Sequence, residues 1–337
     1  MRSFLKLTGF LLLLAISACS TDPAEKPEVK PLAATNAELT ALYGFKKGDY
    51  RSQVFESQIA ATHRELPLRI YSPSSEGHFP VLLFSHGNWS DNTKYDALLE
   101  HWVSHGYIVI APYHLDGGGM ARGIFNSLRY GQIGMIEERI KDMSAVLDQL
   151  ELIAVDAGLS GKMDTANLAA TGHSFGAFTA QQLIGARAYD TDTQTYRSYR
   201  DDRVKLALAL SPPGPMFEVI NENSWNEVNL PQLVTTGTWD SNPSFWPDWQ
   251  AHLMSFDKAM AGQNFSLVVQ GADHYLGNLI CRPEREEAPQ QDALNMVNSA
   301  AVTFLDANLK NNLLAQKQIK NSDISRISVQ FAVLKRR

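Results

Sequence analysis

Cysteine is scarce in this chain of 337 residues, which contains only Cys19 and Cys281. Basic clusters are equally scarce, since the one dense basic run is the C-terminal KRR and the formal net charge is −6. This charge pattern argues against nucleic acid as a partner. The 44% hydrophobic and 20% charged residues are ordinary for a globular protein, which argues against disorder and against a multi-pass membrane protein.

Motifs for metals and phosphate-containing cofactors are also missing. His101 and His105 stand four residues apart on a predicted helix, but the glutamate of an H-E-x-x-H zinc motif and a third ligand are absent. GLSGK lacks the spacing of a phosphate-binding loop. DGGGM (116–120) lacks the glycine spacing of a dinucleotide-binding turn, and we interpret it as a flexible loop near the site. The sequence therefore predicts neither a metal nor a cofactor.

The N-terminus (residues 1–18) has the pattern of a secretory signal, in which two basic residues precede the short apolar stretch LTGFLLLLAISA. Its end, ISAC, resembles a bacterial lipobox, which implies a lipid on Cys19. The alternatives are a conventional signal peptide cut near Ala18 and a short anchor that stays uncut. Because Ser20 rather than an aspartate would follow the lipidated residue, we expect the outer membrane of a bacterial cell envelope, with the lipid as the membrane attachment.

The segment after the signal, residues 19–40, is rich in Pro, Ala, Glu and Lys without an apolar period, and we predict a flexible tether. Residues 41–337 are long enough for one large folded domain. The chain without its signal has 28 basic and 36 acidic residues, a net charge of −8. Only Cys281 remains in that domain, so no intramolecular disulfide can form there, and we expect a buried, inert thiol.

One serine is flanked by glycines at a spacing that has chemical meaning. NLAATGHSFGAFTAQQLIGA (167–186) places Gly172 and Gly176 two residues before and after Ser174, as in the G-x-S-x-G nucleophile elbow. In that elbow a sharp strand-to-helix turn lifts the serine hydroxyl above the sheet, and the glycines leave room for neighbouring backbone. The context agrees, since LAAT predicts a short strand and FGAFTAQQLIGA predicts a helix.

Strands and helices alternate along the chain. YRSQVFESQI and ELPLRIYSP predict a hairpin at one sheet edge, followed by the apolar strands PVLLFSHG and YIVIAPYHL. Three later strands are predicted in VKLALALSP, PQLVTTGTWD and FSLVVQGADH. Helices are expected in YDALLEHWVSHG, MIEERIKDMSAVLDQLELI, QAHLMSFDKAMAG and DALNMVNSAAVTFLDANL. This alternation predicts the α/β class, with a doubly wound, mostly parallel sheet.

Residues 45–312 resemble the α/β-hydrolase superfamily of serine esterases. FPVLLFSHGNWS, LLEHWVSHGYIVIAPYH, ERIKDMSAVLDQL and LSGKMDTANLAATGHSFGA look like the predicted dienelactone-hydrolase-like esterases, a group related to bacterial polyester hydrolases and to platelet-activating-factor acetylhydrolases. In the mammalian acetylhydrolases the catalytic acid follows the strand directly after the elbow helix. Here that strand ends in ALSPPGP, with Ser211 and no carboxylate, so the chain departs from the mammalian acetylhydrolases while it keeps the pattern of the wider esterase superfamily.

In this superfamily the catalytic residues follow the order Ser, Asp or Glu, His along the chain. Ser174 needs a base, because a free hydroxyl is a weak nucleophile. Of the two later histidines, His274 follows the last predicted strand, whereas His252 falls inside a helical segment and is predicted to lie at the surface. Asp240 ends the strand QLVTTGTWD at the same sheet edge as Ser174, and we predict that it orients His274. The other candidate acids are Asp248, Asp257 and Asp273.

Acyl transfer also requires N–H donors for the developing oxyanion. One would be the backbone N–H of Phe175, the residue after the nucleophile. The resemblance implies that the second is the backbone N–H of Asn88, which follows His86 and Gly87. We expect His86 to brace this loop through hydrogen bonds and His173 to pack beneath the elbow.

Little of the chain is left to cover the cleft. Between Pro212 and Pro231 there is room for a loop and a short helix but not for a large cap domain. We therefore predict an open cleft that favours short acyl groups. Loops at strand ends would supply an aromatic rim, formed by Trp89, Trp239 and Trp246.

Together these patterns predict a secreted, lipid-anchored serine hydrolase that cleaves a small-molecule or polymeric carboxylic ester through an acyl-enzyme on Ser174. A peptidase or amidase of the same fold would use the same three residues. A catalytically silent binding protein of the cell envelope is the alternative from another class.

Overall fold

The computed structural model describes residues 26–337, with the exception of His63 and Ser244. The predicted signal sequence, Cys19 and the first residues of the predicted tether lie outside the described residues.

Strands account for the centre of the domain. In the described residues they are β1 (Ser52–Ala60), β2 (Glu65–Pro73), β3 (Phe79–Ser85), β4 (Ile108–Pro112), β5 (Met163–His173), β6 (Arg187–Asp190), β7 (Thr195–Ser198), β8 (Val204–Leu210), β9 (Gln232–Gly237), β10 (Asn264–Val269) and β11 (Ala332–Arg336). Nine of them form one sheet in the order β1-β2-β4-β3-β5-β8-β9-β10-β11, and β6 pairs with β7 separately.

Helices connect most of these strands. The described α-helices are α1 (Asn36–Leu39), α2 (Asp96–Ser104), α3 (Met120–Asp148), α4 (Leu150–Asp156), α5 (Phe175–Leu183), α6 (Met254–Lys258), α7 (Gln291–Leu309), α8 (Leu313–Lys320) and α9 (Asp323–Ile327). Two 3₁₀ helices span Glu222–Trp225 and Trp249–Leu253.

The sheet is parallel from β4 to β10 and antiparallel at both edges. β4-β3-β5-β8-β9-β10 pair in parallel, as crossover connections through helices require. The β1–β2 hairpin and the last strand, β11, pair antiparallel. The predicted α/β class, the edge hairpin and the mostly parallel sheet are therefore confirmed.

Helices cover both faces of the sheet, which makes it doubly wound. Side chains alternate along β3, so Leu82 and Phe84 join one apolar core while Val81 and Leu83 join the other. The first core is closed by α2 and α7, and the second by α3 and α5. Because β3 is buried on both faces, its sequence is a continuous apolar run rather than an alternating one.

Three elements differ from the predictions. Helix α3 begins at Met120, well before the predicted segment MIEERIKDMSAVLDQLELI, and contains a kink at Gly131, whose φ is 68°. The predicted helix QAHLMSFDKAMAG is divided into the 3₁₀ helix Trp249–Leu253 and the five-residue α6. No element was predicted beyond residue 312, where the structure has α8, α9 and β11. These belong to the same domain, because β11 pairs with β10 and extends the sheet.

The connection between β8 and β9 contains one 3₁₀ helix, Glu222–Trp225, among the described residues, so the prediction that no large cap domain interrupts the sheet is confirmed. Within residues 26–337, none of the helices combines the length and the apolar character that crossing a membrane would need.

The fold shows the surroundings of two features singled out in the sequence, the pair His101 and His105 and the lone Cys281. The Nε2 atoms of His101 and His105 bind the carbonyl oxygens of Gly44 and Lys46 at 2.8 and 2.9 Å, so each histidine fastens the chain before β1 to α2. Cys281 is buried, as predicted, and burial raises the pKa of its thiol, which favours the unreactive protonated form.

Candidate active site

Ser174 occupies a sharp turn between a strand and a helix. β5 ends at His173 and α5 begins at Phe175, and Ser174 between them has φ 55° and ψ −125°. A positive φ is uncommon for a residue with a Cβ and is found at strained functional turns. The predicted elbow is therefore present, with Ser174 half-buried at the carboxyl end of the sheet.

The two glycines of the elbow are required by backbone contacts. A Cβ at Gly172 would overlap the carbonyl oxygen of Gly176, and a Cβ at Gly176 would overlap the carbonyl oxygen of Ser85 at the end of β3. The first turn of α5 can approach β3 this closely only because both positions lack a side chain.

The structure brings Ser174, His274 and Asp240 together. The Oγ of Ser174 lies 2.9 Å from Nε2 of His274, and Nδ1 of His274 lies 2.7 Å from Oδ1 of Asp240. Both distances are those of hydrogen bonds. Ser174 follows β5, Asp240 lies just beyond β9 and His274 lies beyond β10, so parallel strands deliver all three side chains to one edge of the sheet.

Asp240 is fully buried and held on both oxygens. Its Oδ2 accepts a hydrogen bond of 2.9 Å from Oγ1 of Thr236, while Oδ1 faces histidine. Burial by itself would raise the pKa of Asp240, but His252 and His274 beside it hold that pKa well below its usual range. Asp240 is therefore a carboxylate, as required of a group that stabilises an imidazolium.

The other carboxylates considered from the sequence have different partners. Asp248 and Asp257 are exposed, and the side chain of Asp248 caps a 3₁₀ helix by accepting from the N–H of Gln250. Asp273 accepts from the backbone N–H groups of Tyr275 and Gly277 at 3.0 and 2.8 Å, which shapes the turn that carries His274.

The prediction that His252 lies at the surface is wrong. Its side chain is 1% exposed, and its Nε2 lies 3.0 Å from Oδ1 of Asp240. The ring reaches this position because the predicted helix is broken, and the 3₁₀ segment turns His252 inward. Asp240 consequently faces two histidines, His252 and His274.

Asp240, His252 and His274 each offer one atom within 4.8 Å of the others, a grouping that metal sites also show. Two tetrahedral zinc ligands lie about 3.3 Å apart, as follows from metal–ligand bonds of about 2.0–2.2 Å. The separations of 2.7 and 3.0 Å from Oδ1 of Asp240 are shorter. They fit a hydrogen bond between His274 and Asp240 and an ion pair between His252 and Asp240, and we interpret the group as a charge-paired cluster.

The loop after β3 is held by its carbonyl oxygens. Nδ1 of His86 donates to the carbonyl oxygen of Gly87 at 2.8 Å, and Arg139 reaches that same oxygen at 3.4 Å. The N–H of Asn88 belongs to the same peptide plane and points the opposite way. Fixing the carbonyl of Gly87 therefore also fixes the direction of the Asn88 N–H. The predicted bracing role of His86 is confirmed.

Arg139 anchors this loop from a fully buried position on α3. Its guanidinium donates to the carbonyl oxygen of His86 at 2.7 Å and to both oxygens of Asp116 at 2.7 and 3.1 Å. It also lies 5.0 Å from the ring centre of Phe175. Arg139 thus contacts both segments that carry the predicted oxyanion donors, and Asp116 balances its charge.

The interpretation of DGGGM as a flexible loop is wrong for its first residue. Asp116 is 1% exposed, and although burial opposes its charge, Arg139 lowers the pKa of Asp116 to about 2. The sequence signal was weak, because the two partners are 23 positions apart, with Asp116 in a loop and Arg139 inside helix α3.

His173 connects the loop after β3 to His274. The N–H of Gly87 donates to Oη of Tyr95 at 2.8 Å, and Tyr95 lies 3.1 Å from Nδ1 of His173. Nε2 of His173 lies 2.8 Å from the carbonyl oxygen of His274, which can only accept, so Nε2 carries the proton. Burial lowers the pKa of His173 well below its usual value, which matches this neutral form.

The three tryptophans predicted as a rim have different surroundings. The Trp246 ring centre lies 5.0 Å from that of His274, so Trp246 flanks this histidine. Trp89 follows Asn88 and packs against Gly123 at the start of α3, where a Cβ would overlap its indole. Trp239 is covered by the chain before the domain, since its Nε1 donates to the carbonyl oxygen of Pro27 at 2.8 Å.

Comparison with known proteins agrees with the fold. A family model described as Chlorophyllase matches residues 40–189, which include β1 to β5 and the elbow. The mostly parallel sheet with flanking helices is consistent with the α/β-hydrolase fold of that family. Relatives include Chlorophyllase-1, chloroplastic, of Citrus sinensis, with 36% identity over 93 residues, 27% of each chain. The platelet-activating factor acetylhydrolase of Cavia porcellus is 22% identical over 289 residues, 72% of this chain and 60% of the relative. In each case the match spans less than two thirds of the relative's length.

Proposed function

We propose that this α/β-hydrolase is a carboxylic ester hydrolase with Ser174 as nucleophile, His274 as base and Asp240 as acid. The observation that carries the proposal is the hydrogen-bonded chain from Ser174 Oγ through His274 to a buried, charged Asp240. The names of the relatives, a chlorophyllase and an acetylhydrolase, support ester cleavage for this chain as well.

The reaction follows from the geometry. Oγ of Ser174 attacks the ester carbonyl carbon while its proton moves to Nε2 of His274, and Asp240 stabilises the imidazolium that forms. The backbone N–H groups of Asn88 and Phe175 would stabilise the oxyanion. His274 then gives its proton to the departing alcohol. In the second half, His274 takes a proton from the water that attacks the acyl-enzyme. It then returns this proton to Oγ of Ser174 as the acyl–oxygen bond breaks, which releases the acid and restores the free enzyme.

The proposed substrate is an ester with a short acyl group. Ser174 is half-buried rather than enclosed, and the β8–β9 connection is too short to form a large cap. A bulky or aromatic alcohol could rest against Trp246, which flanks His274, and against Trp89 at the oxyanion loop. The name of the Cavia porcellus relative, an acetylhydrolase, agrees with a substrate that has a short acyl group.

The proposed location is the bacterial cell envelope, with the chain attached through a lipid on Cys19. The proposal rests on the signal-like residues 1–18 and the lipobox-like ISAC. Residues 26–34, within the predicted tether, contact the domain: Leu32 and Ala34 pack against its core, and Lys26 lies 4.7 Å from the ring of Trp239.

One labelling experiment distinguishes the three candidate functions, which are an ester hydrolase, a peptidase or amidase, and a catalytically silent binding protein. The purified protein and its Ser174→Ala variant are treated with a fluorescent fluorophosphonate, and hydrolysis of p-nitrophenyl esters and of chromogenic peptides is measured with and without a chelator. We expect the wild type to be labelled, to cleave esters faster than peptides and to be unaffected by the chelator. Ser174→Ala should be unlabelled and inactive, because the attacking oxygen is missing.

Each contrary result has a distinct meaning. Faster cleavage of peptides would identify an amidase. A folded wild type without labelling or turnover would identify a silent binding protein. Activity in Ser174→Ala within tenfold of the wild type would reject Ser174 as the nucleophile, and loss of activity with the chelator would indicate that Asp240, His252 and His274 hold a metal.

A further inference from the structure

Asp240 is shared by two histidines whose rings have different partners. His274 connects Asp240 to Ser174. His252 approaches the same oxygen, Oδ1 of Asp240, with its ring centre 5.6 Å from that of His274. Nδ1 of His252 lies 2.7 Å from the carbonyl oxygen of Pro212, and its Nε2 lies 3.0 Å from Oδ1 of Asp240.

Both nitrogens of His252 therefore face acceptors. The carbonyl of Pro212 can only accept, so Nδ1 carries a proton. A neutral ring would then leave the lone pair of Nε2 within 3.0 Å of the charged oxygen of Asp240, which is unfavourable. A second proton on Nε2 converts that repulsion into an ion pair. The geometry thus favours an imidazolium at His252.

The surroundings of His252 contain few other ionisable groups. Besides Asp240 and His274, its electrostatic neighbours include His173, which is neutral because burial lowers its pKa. Trp246 packs edge-on against the ring at 5.7 Å. The charged residues on its own and the following helix, Asp248, Asp257 and Lys258, are exposed.

The charge balance agrees with this assignment. Burial alone would lower the pKa of His252, but Asp240 beside it raises that pKa above the ordinary value for histidine. The pair formed by Asp240 and His252 then has no net charge while His274 is neutral.

We infer that His252 is a positioning residue that holds Asp240 and, through its own proton, sets the pH range in which His274 can act as a base. The inference rests on the proposed hydrolase function. When Ser174 transfers its proton to His274, a second cation forms beside Asp240. A protonated His252 opposes that second charge, so replacing His252 by a neutral side chain should alter how the reaction rate depends on pH.

Two substitutions remove the charge of His252 while keeping one of its hydrogen bonds. In His252→Gln the amide can still donate to Asp240, and in His252→Asn it can still donate to the carbonyl of Pro212. His101→Gln is the matched control, because His101 is also a buried histidine bound to a carbonyl, that of Gly44, far along the chain from the site.

The readouts are kcat/KM for p-nitrophenyl acetate and the rate of fluorophosphonate inactivation, each measured from pH 5 to 9. We expect the midpoint of the acidic limb to move upward by about one pH unit in both His252 variants, as an interaction of ordinary strength at this distance implies. On that limb, kcat/KM should fall about tenfold, whereas the plateau at high pH should stay within about threefold. His101→Gln should leave the profile unchanged.

A merely structural role would lower the rate equally at every pH and leave the midpoint in place, and that result would overturn the inference. ¹⁵N NMR of the wild-type imidazoles gives a readout that does not need turnover or a folded variant. Two protonated nitrogens on His252 at pH 6 to 7 are expected, and a neutral His252 in that range would overturn the inference. A wild type that neither labels nor turns over would reject the proposed hydrolase, while the NMR result would still decide the state of His252.

Discussion

Asp240 reaches the site because β9 ends at Gly237, where the chain turns against the loop after β10. A Cβ at Gly237 would overlap the carbonyl oxygen of Ala272, two residues before His274. This close approach sets the distance between acid and histidine. A substitution that keeps the shape of Asp240 but removes its charge therefore tests the chemistry rather than the packing.

We expect Asp240→Asn to lower kcat by about 10⁴-fold, as the corresponding change does in serine proteases, because the amide favours the wrong tautomer of the histidine. The measurement is the hydrolysis of p-nitrophenyl acetate. Asp248→Asn is the control, since Asp248 only caps a 3₁₀ helix, and it should stay within about threefold of the wild type. A larger loss in Asp248→Asn than in Asp240→Asn would show that the acid is misassigned.

At the residue scale the sequence predicted what depends on short spacings. Gly172, Ser174 and Gly176 stand out because local backbone contacts demand small residues at fixed positions. His252 was misplaced for the opposite reason. Its helical spacing in QAHLMSFDKAMAG conceals the change from 3₁₀ to α-helix at Leu253, and only the position of Asp240, in another loop, explains why a buried histidine is stable there.

At the scale of elements, the loop after β3, which carries the proposed oxyanion donor Asn88, depends on helix α3 for its shape. Arg139 binds the carbonyl oxygens of His86 and Gly87, and Arg282 binds those of Asn88 and Trp89 at 3.4 and 3.2 Å. Four consecutive peptide groups are thus held by two arginines from distant parts of the chain. Such long-range contacts cannot be read from the sequence of the loop itself.

We expect Arg139→Lys to lower kcat on the order of 10²-fold with KM within about threefold, because one ammonium group cannot replace the forked contacts that orient the Asn88 N–H. Kinetics on p-nitrophenyl acetate measure both constants, and circular dichroism checks the fold. The control is Arg197→Lys, since Arg197 also pairs with α3, through Glu137, but contacts no residue of the loop. A rise in KM without a fall in kcat would indicate a substrate-binding role instead.

At the scale of the whole molecule, the positions of the parallel strands along the chain were predictable because most contain an apolar run followed by a loop or helix, whereas their order in the sheet was not predicted. The C-terminal elements were not, since α8 and α9 are short and β11 has the sequence AVLKR, whose second half is exposed. Their place in the fold depends on a long-range contact, because β11 forms a strand by pairing with the edge of β10.

The attachment of the domain to a membrane is a separate expectation. We expect Cys19→Ser to yield an unlipidated protein, since the acyl chains would be attached through that thiol. Mass spectrometry of the N-terminal peptide of both proteins, isolated from a bacterial host with a lipoprotein pathway, is the measurement. An unmodified mature N-terminus in the wild type would refute lipidation and leave the catalytic assignments untouched.

Substrate size is decided by the architecture as a whole. The sheet presents Ser174 at its carboxyl edge, and the β8–β9 connection, a place where this fold can hold a lid, contains only the 3₁₀ helix Glu222–Trp225 among the described residues. Without a lid to open, an oil–water interface should not accelerate the reaction. A shallow binding site for the acyl group should also leave a long acyl chain in water rather than bury it.

We therefore expect the rate on p-nitrophenyl acetate to equal or exceed that on the butyrate and to exceed that on the palmitate by at least about tenfold, with rates proportional to substrate below saturation. The Ser174→Ala protein, measured at the same detergent concentration, supplies the background for each ester. A maximum at the palmitate, with a jump in rate above the micellar threshold, would mean that a mobile cover exists. The segment to examine would then be the first half of α3, where Met120, Phe125 and Leu128 are exposed and Gly123 packs against Trp89.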